Sequence, residues 1–227
     1  MVLGAGMVHG QDFPHRPIRI YTTAPGGGSD FSARIIAQTL PASLGQPVIV
    51  ENRGGSVTIA ATEVMKAPPD GHSLLLYGST LWLLPYLHDK VPYDPLRDFL
   101  PVTMTNRAPN VLVVHASLPV KSVQELIALA RARPGELNYS SGPSGSSNHL
   151  SAEVKGHGQG QYRGRSLQGY RTRAHRPSRG RSAADVRYRF HSGTETIGGT
   201  PEELAAAIRA EMTGMGKVIK DGNIRAQ

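Results

Sequence analysis

The chain lacks cysteine altogether, which excludes disulfides and thiolate-ligated metal sites but is compatible with any redox compartment. It also lacks any apolar run of the roughly 20 residues that a helix needs to cross a bilayer. Its nine histidines never fall in a His-x-x-x-His or His-Glu-x-x-His spacing, so no helix-borne zinc pair exists and no metal or other cofactor is expected. Two nucleotide signatures are missing as well. The glycine-rich loop Pro25–Gly28 is not followed by the Lys-Ser/Thr pair of a Walker A loop, nor does it carry the Gly-x-Gly-x-x-Gly of a dinucleotide site. There is no Gly-x-Ser-x-Gly elbow, and Ser146 and Ser147 stand too near His149 in sequence to pair as nucleophile and base, so an enzyme is not expected. The N-terminal stretch MVLGAGMVHGQDFPHRP has no charged start and no full apolar core. With its small residues and a plausible cleavage region near Gly10–Gln11, it reads as the remnant of a secretory signal over residues 1–12.

Acidic residues are also in short supply, 17 against 25 Lys and Arg, for a net charge of +8. The deficit is local. Residues 155–190 hold Lys155 and nine arginines against Asp185 alone, a net of +9, while the rest of the chain nets −1. Large aliphatic residues are nearly missing there, Leu167 and Val186 being the notable ones. Such a stretch cannot bury enough apolar surface to offset its ordering entropy, so 155–197 is expected to be disordered. Two explanations stay open. Taken as written, an arginine-rich arm with interleaved tyrosines has the composition of a nucleic-acid-binding segment. Alternatively, residues 156 to about 192 are translated out of frame. Moving the frame forward by one base lets codons chosen for Gly158–Phe190 spell a sensible alternation of strand, glycine turn, amphipathic helix and strand.

The most informative stretch that is present runs from Ile18 to Leu40, IRIYTTAPGGGSDFSARIIAQTL. A short β-type run breaks into three glycines, and Ser29-Asp30 open an amphipathic helix. Glycines allow positive φ and expose backbone N–H groups, and a helix start carries unpaired donors and the positive end of its dipole. The junction therefore suits an anion or polar ligand, although an ordinary turn with Ser29 or Asp30 as N-cap has the same residue types. Periodicity gives strands at 17–23, 47–51, 73–77, 110–115 and 136–140 and helices at 29–44, 56–67 and 122–133, with irregular connections at Asp94-Pro95 and Asn106–Asn110. Near the C-terminus, Thr200 caps a further helix with Pro201 at its first position and Glu202 and Glu203 at its positive end. Strands alternating with helices imply an α/β fold with a parallel sheet, one large domain or two small ones, and ligands at the carboxyl ends of the strands. Three stretches meet that rule: Ala24–Asp30, Gly78-Ser79-Thr80 and Gly142–His149.

These elements, read together, resemble the receptors of tripartite tricarboxylate transporters, also called Bug receptors. The likeness rests on P-I-R-I followed by A-P-G-G-G-S-D, on L-G-Q-P-V-I-V-E-N-R, on A-P-P-D-G before the third strand, on VPYDPLRDFLPVTM at 91–104, and on the run from Ala108 to Gly142. It covers roughly residues 13–153 and returns at Gly198. Tyr21-Thr22-Thr23 departs from the more apolar run usual there. The displaced frame also contains the Pro-Tyr-Lys-Gly loop that follows H-L-S-A-E in these receptors.

This resemblance implies a type II periplasmic-binding-protein architecture. The first α/β lobe, 13–108 plus 198–227, is mostly intact; the second begins at 109–154 and is incomplete. It implies capture of a small organic acid or amino acid between closing lobes, delivery to the membrane subunits of a tripartite transporter, and a periplasmic location. A monomer without a nucleic-acid partner is expected on this reading, with weak or absent binding by the chain as written. The family's loops place the ligand contacts at Gly26, Gly27, Ser29, Asp30, Ser79, Thr80, Ser146 and Ser147. His149 is the weakest member of the set, since a histidine at a helix start usually finds its partners among its neighbours.

Overall fold

Alternation decides the first strand. Ile18, Ile20 and Thr22 face inward from β1 (Ile18–Thr22), and Arg19 points to solvent. In the computed structural model, which describes residues 13–134, 136–141, 145–156, 163–166, 185–188, 195–222 and 224, β1 is the centre of a three-stranded sheet. It pairs in parallel with β2 (Val48–Asn52) on one side and β3 (Ser73–Leu75) on the other. Parallel pairing requires crossovers, and these are helices. One crossover holds α1 (Gly28–Thr39) and the single turn α2 (Pro41–Leu44); the other is α3 (Val57–Lys66). Ile18, Ile20, Ala33 and Val48 form the buried centre beneath α1.

The helix expected as one piece over 29–44 is broken at Leu40. Pro41 has no N–H for the preceding turn, and Gly45, at φ +66°, ends the extra turn in the left-handed region. A helix not anticipated from the sequence follows β3: α4 (Thr80–Leu87), which carries Pro85 in its interior. The proline leaves the Leu81 carbonyl without its helical donor, and the Tyr93 hydroxyl donates to that oxygen at 2.8 Å. Stretch 106–110, read as irregular, begins with a short strand, β4 (Asn106–Arg107).

Beyond it lie β5 (Leu112–Val114), α5 (Val123–Ala132), β6 (Asn138–Ser141) and α6 (Ser147–Gly156). Ser122 caps α5, its hydroxyl accepting from the Glu125 N–H. Within 155–190, part of the stretch where no order was expected, the described residues include two strands, β7 (Arg163–Ser166) and β8 (Asp185–Tyr188). They complete a second sheet in the order β5-β8-β6-β7, with β5–β8 antiparallel. Backbone pairing needs no apolar side chain, which is why composition missed these strands. The rest of the arginine-rich stretch, like the expected signal remnant at 1–12, lies outside the described residues.

The chain returns through β9 (Glu195–Thr196), antiparallel to β4, into α7 (Pro201–Asp221). Thr200 and Glu203 form the expected N-terminal cap reciprocally: the Thr200 hydroxyl accepts from the Glu203 N–H at 3.2 Å, and the Glu203 carboxylate from the Thr200 N–H at 2.8 Å. α7 lies on α4, burying Leu83, Leu87 and Ile219 together with Leu150 of α6.

Candidate functional site

The corner after β1 is built around a carboxylate. Asp30, 3% exposed, occupies the third position of α1 and turns back into the glycine loop. Its Oδ2 accepts from the Gly26 N–H at 2.8 Å and from Arg34 Nε at 3.1 Å. Its Oδ1 accepts from Asn52 Nδ2 at 2.7 Å and lies 3.1 Å from Arg34 Nη2. Burial pushes the pKa of this group up, but the hydrogen bonds from Asn52, Gly26 and Arg34, with the Arg34 charge, outweigh it, so the pKa is lowered and Asp30 stays ionised. The N-cap of α1 is Gly27, with no side-chain cap, rather than Ser29 or Asp30. A carboxylate committed to the preceding loop is not available as a cap.

Two of the expected donors point inward. The Gly26 N–H goes to Asp30, and the Gly27 N–H to the Ala24 carbonyl at 3.3 Å. Both glycines are required by geometry: Gly26 sits at φ +84°, and a Cβ on Gly27 would stand 2.8 Å from Thr23 Oγ1. The donors the corner offers are therefore the N–H groups of Gly28, Ser29 and Asp30, the first three of α1, which have no intrahelical acceptor.

The exits of the three parallel strands lie side by side. Thr22 donates its hydroxyl to the Leu76 carbonyl at 2.9 Å, the Arg53 N–H donates to the Thr22 carbonyl at 2.9 Å, and Asn52 Nδ2 reaches the Thr23 carbonyl at 2.8 Å. After β3 the chain passes Tyr77, whose phenol burial pushes up to about 12 and so keeps uncharged. Ser79 then stands at the N-cap of α4 and Thr80 at its first position.

The third corner meets α4 directly. Gly145, at φ +83°, packs so closely that a Cβ would come within 3.2 Å of Leu87 and 3.4 Å of the Thr80 methyl. Ser79-Thr80 and Gly145–Ser147 thus flank one edge. Ser146 precedes α6, its hydroxyl accepting from the His149 N–H at a long 3.4 Å, and Ser147 donates its hydroxyl to Asn110 Oδ1 at 3.2 Å. His149 Nδ1 accepts the Gly145 N–H at 3.3 Å, closing its own loop. Asn52, Arg34 and Asn110 escaped the sequence reading. The signal that finds Asn52 is its place at the carboxyl end of the strand paired with β1, and the one that finds Arg34 is its i,i+4 spacing from Asp30 on the expected helix; nothing in the sequence singles out Asn110. Among the described residues, no group of three metal-ligating side chains converges, and no helix is long and apolar enough to cross a membrane.

The chain is similar to known proteins in sequence and in structure. BugT of Bordetella pertussis is 40% identical over 158 residues, covering 66% of this chain and 47% of BugT. The protein encoded between tcbD and tcbE in a Pseudomonas species is 40% identical over 144 residues, 63% of this chain and 43% of its own length. The chain thus spans about half the length of the curated relatives it matches. Among solved structures, an R. palustris protein with adipate superposes at a TM-score of 0.77 and 25% identity, covering 95% of this chain and all of that one. MatC from Rhodopseudomonas palustris, with bound malate, is 31% identical at a TM-score of 0.59, covering 69% of this chain and 55% of MatC. The periplasmic binding protein BugD, at 16% identity and a TM-score of 0.75, has the same α/β fold. The tripartite tricarboxylate transporter family receptor model matches residues 32–175, most of the two sheets and their helices, and the chain belongs to that family.

Proposed function

We propose that this chain is an extracytoplasmic receptor that captures a small carboxylated metabolite and presents it to the membrane subunits of a tripartite transporter. The observation that carries the reading is the first corner. Three N–H groups without intrahelical acceptors sit at the positive end of α1, at the carboxyl rim of a parallel sheet, and Ser79 and Thr80 open α4 after the adjacent strand β3. Gly145, which immediately precedes Ser146 and Ser147, packs against Thr80 in the first turn of α4. Adipate and malate in two related structures support the ligand class. The site is a gripping one and not a catalytic one: His149 Nδ1 is already taken by the Gly145 N–H, so it is no base for Ser146 or Ser147.

We further propose that residues 156 to about 192 are read out of frame and leave the second lobe incomplete. Calorimetric titration of the chain with adipate and malate tests both statements. Binding in the range of ~0.1–10 mM is expected, with adipamide inert. An equal response to adipamide, or none to either acid, overturns the carboxylate reading. Micromolar affinity overturns the incompleteness, as does coding DNA whose codons cannot yield the displaced reading.

A further inference from the structure

We propose that Asp30 and Asn52 act as a clasp that positions the ligand loop without touching the ligand; the inference rests on the carboxylate reading above and reassigns one of its residues. An ionised carboxylate in the first turn of an anion-accepting helix is, on charge alone, a liability for binding a second carboxylate. Its geometry removes it from the ligand. Both oxygens are occupied by the Gly26 N–H, Asn52 Nδ2 and Arg34, and only 3% of the residue reaches solvent.

Those bonds do work that three consecutive glycines cannot do for themselves. Glycine loses more backbone freedom on ordering than any other residue, so an untethered Gly26-Gly27-Gly28 loop would have to be ordered by the ligand at the expense of affinity. Asn52 anchors the same loop from outside the helix, because one amide group spans the Thr23 carbonyl at 2.8 Å and Asp30 Oδ1 at 2.7 Å. It thereby ties the end of β2 to both ends of the loop. Arg34, at i+4 from Asp30, bonds to Asp30 Oδ2 through Nε and to Asn52 Oδ1 through Nη2 at 2.9 Å. The clasp turns the Gly26 donor inward and leaves the N–H groups of Gly28, Ser29 and Asp30 for the ligand.

The sign of the effect separates a clasp from a bystander. If Asp30 were only a nearby negative charge, Asp30→Asn and Asp30→Ala would both tighten adipate binding. As a clasp, Asp30→Ala weakens it roughly tenfold through loss of preorganisation, and Asp30→Asn, which keeps an acceptor for Gly26, restores part of the loss. Asn52→Ala changes no charge and weakens binding like Asp30→Ala. Amide hydrogen exchange on the full chain gives a readout that needs no ligand. The Gly26 N–H is protected in the parent and in Asp30→Asn, and loses protection in Asp30→Ala and Asn52→Ala, with melting temperature measured alongside as a fold control. Unchanged Gly26 protection in Asp30→Ala, or tighter adipate binding by that variant, overturns the clasp. Protection lost as expected with no adipate response in any chain, the parent included, overturns the carboxylate reading and leaves the clasp standing.

Discussion

Glu211 shows how much a single side chain says about the packing around it. It sits on α7 with its carboxylate turned toward α4, where Trp82 donates its indole N–H to Oε2 at 3.1 Å. Burial raises its pKa and the Trp82 hydrogen bond lowers it; burial wins, and the net direction is upward from 4.5. A carboxyl whose folded pKa exceeds the unfolded value contributes stability that is fully present below about 4.5 and is lost as pH rises through the folded value. Asp70 has the opposite sign. The His72 N–H and Arg16 hold it down at about 2, so its contribution persists at neutral pH and disappears only in acid. Glu211→Gln keeps an acceptor for Trp82 and removes the charge. It should therefore stabilise the protein at pH 7, by no more than about 1 kcal/mol because the group is only half-buried. The advantage should vanish by pH 4. Thermal unfolding at the two pH values, followed by fluorescence of the single tryptophan, Trp82, checks this; an equal gap at both pH values would show that burial of the charge is not the cause.

Among the elements, α4 explains why part of the fold was legible and part was not. β1, β2, α3, α5 and α7 stand close to their expected positions because each carries its own signal: alternation in the strands, caps at Ser56, Ser122 and Thr200 in the helices. TLWLLPYL has an internal proline, which reads as a breaker. What rescues it is Tyr93, donating to the stranded Leu81 carbonyl from a loop 12 residues away, and no local pattern announces that bond. The same limit applied at the first corner. The glycines and the helix start were visible, but the Gly26 N–H is drawn inward by Asp30, whose other oxygen is held by Asn52, 22 residues further on. Tyr93→Phe isolates the rescue, since it keeps the ring against Val57, Ala61 and Leu84 and deletes only the donor. Leaving a part-buried carbonyl unpaired costs about 1–3 kcal/mol. The expected loss is confined to unfolding free energy from denaturant titration, with the slope on denaturant unchanged; a cost near zero would mean that α4 needs no outside donor.

At the scale of the whole molecule, the question is whether the first sheet and its helices stand without the second. The chain leaves and re-enters the first unit through β4 and β9, whose register pairs Asn106 with Thr196 and Arg107 with Glu195. The Ile197 N–H donates to the Thr105 carbonyl at 3.2 Å, which makes 105–197 a hydrogen-bonded pair. Alternation along an antiparallel ladder puts 107–195 in the same class, the kind that a two-residue turn closes. The Thr103 hydroxyl, bonded to the Gly199 carbonyl at 2.9 Å, holds the crossing farther in. Replacing residues 108–194 by Asn-Gly should therefore leave a folded unit with β1–β3, α1–α4 and α7. The buried side chain it loses is Leu150, which fills the space between Leu83, Leu87 and Ile219, and the packing of Gly145 on α4 goes with it. By analogy with core truncations that loss is about 2–5 kcal/mol, a tolerable fraction of a domain's usual stability. The trimmed chain should melt cooperatively at a lower temperature than the parent and no longer respond to adipate, because the corner at Gly145–Ser147 has gone with the excised residues. A trimmed chain without a cooperative transition would mean that the second sheet is needed to fold the first. Adipate binding undiminished by the excision would mean that the ligand is held by the α1 corner alone.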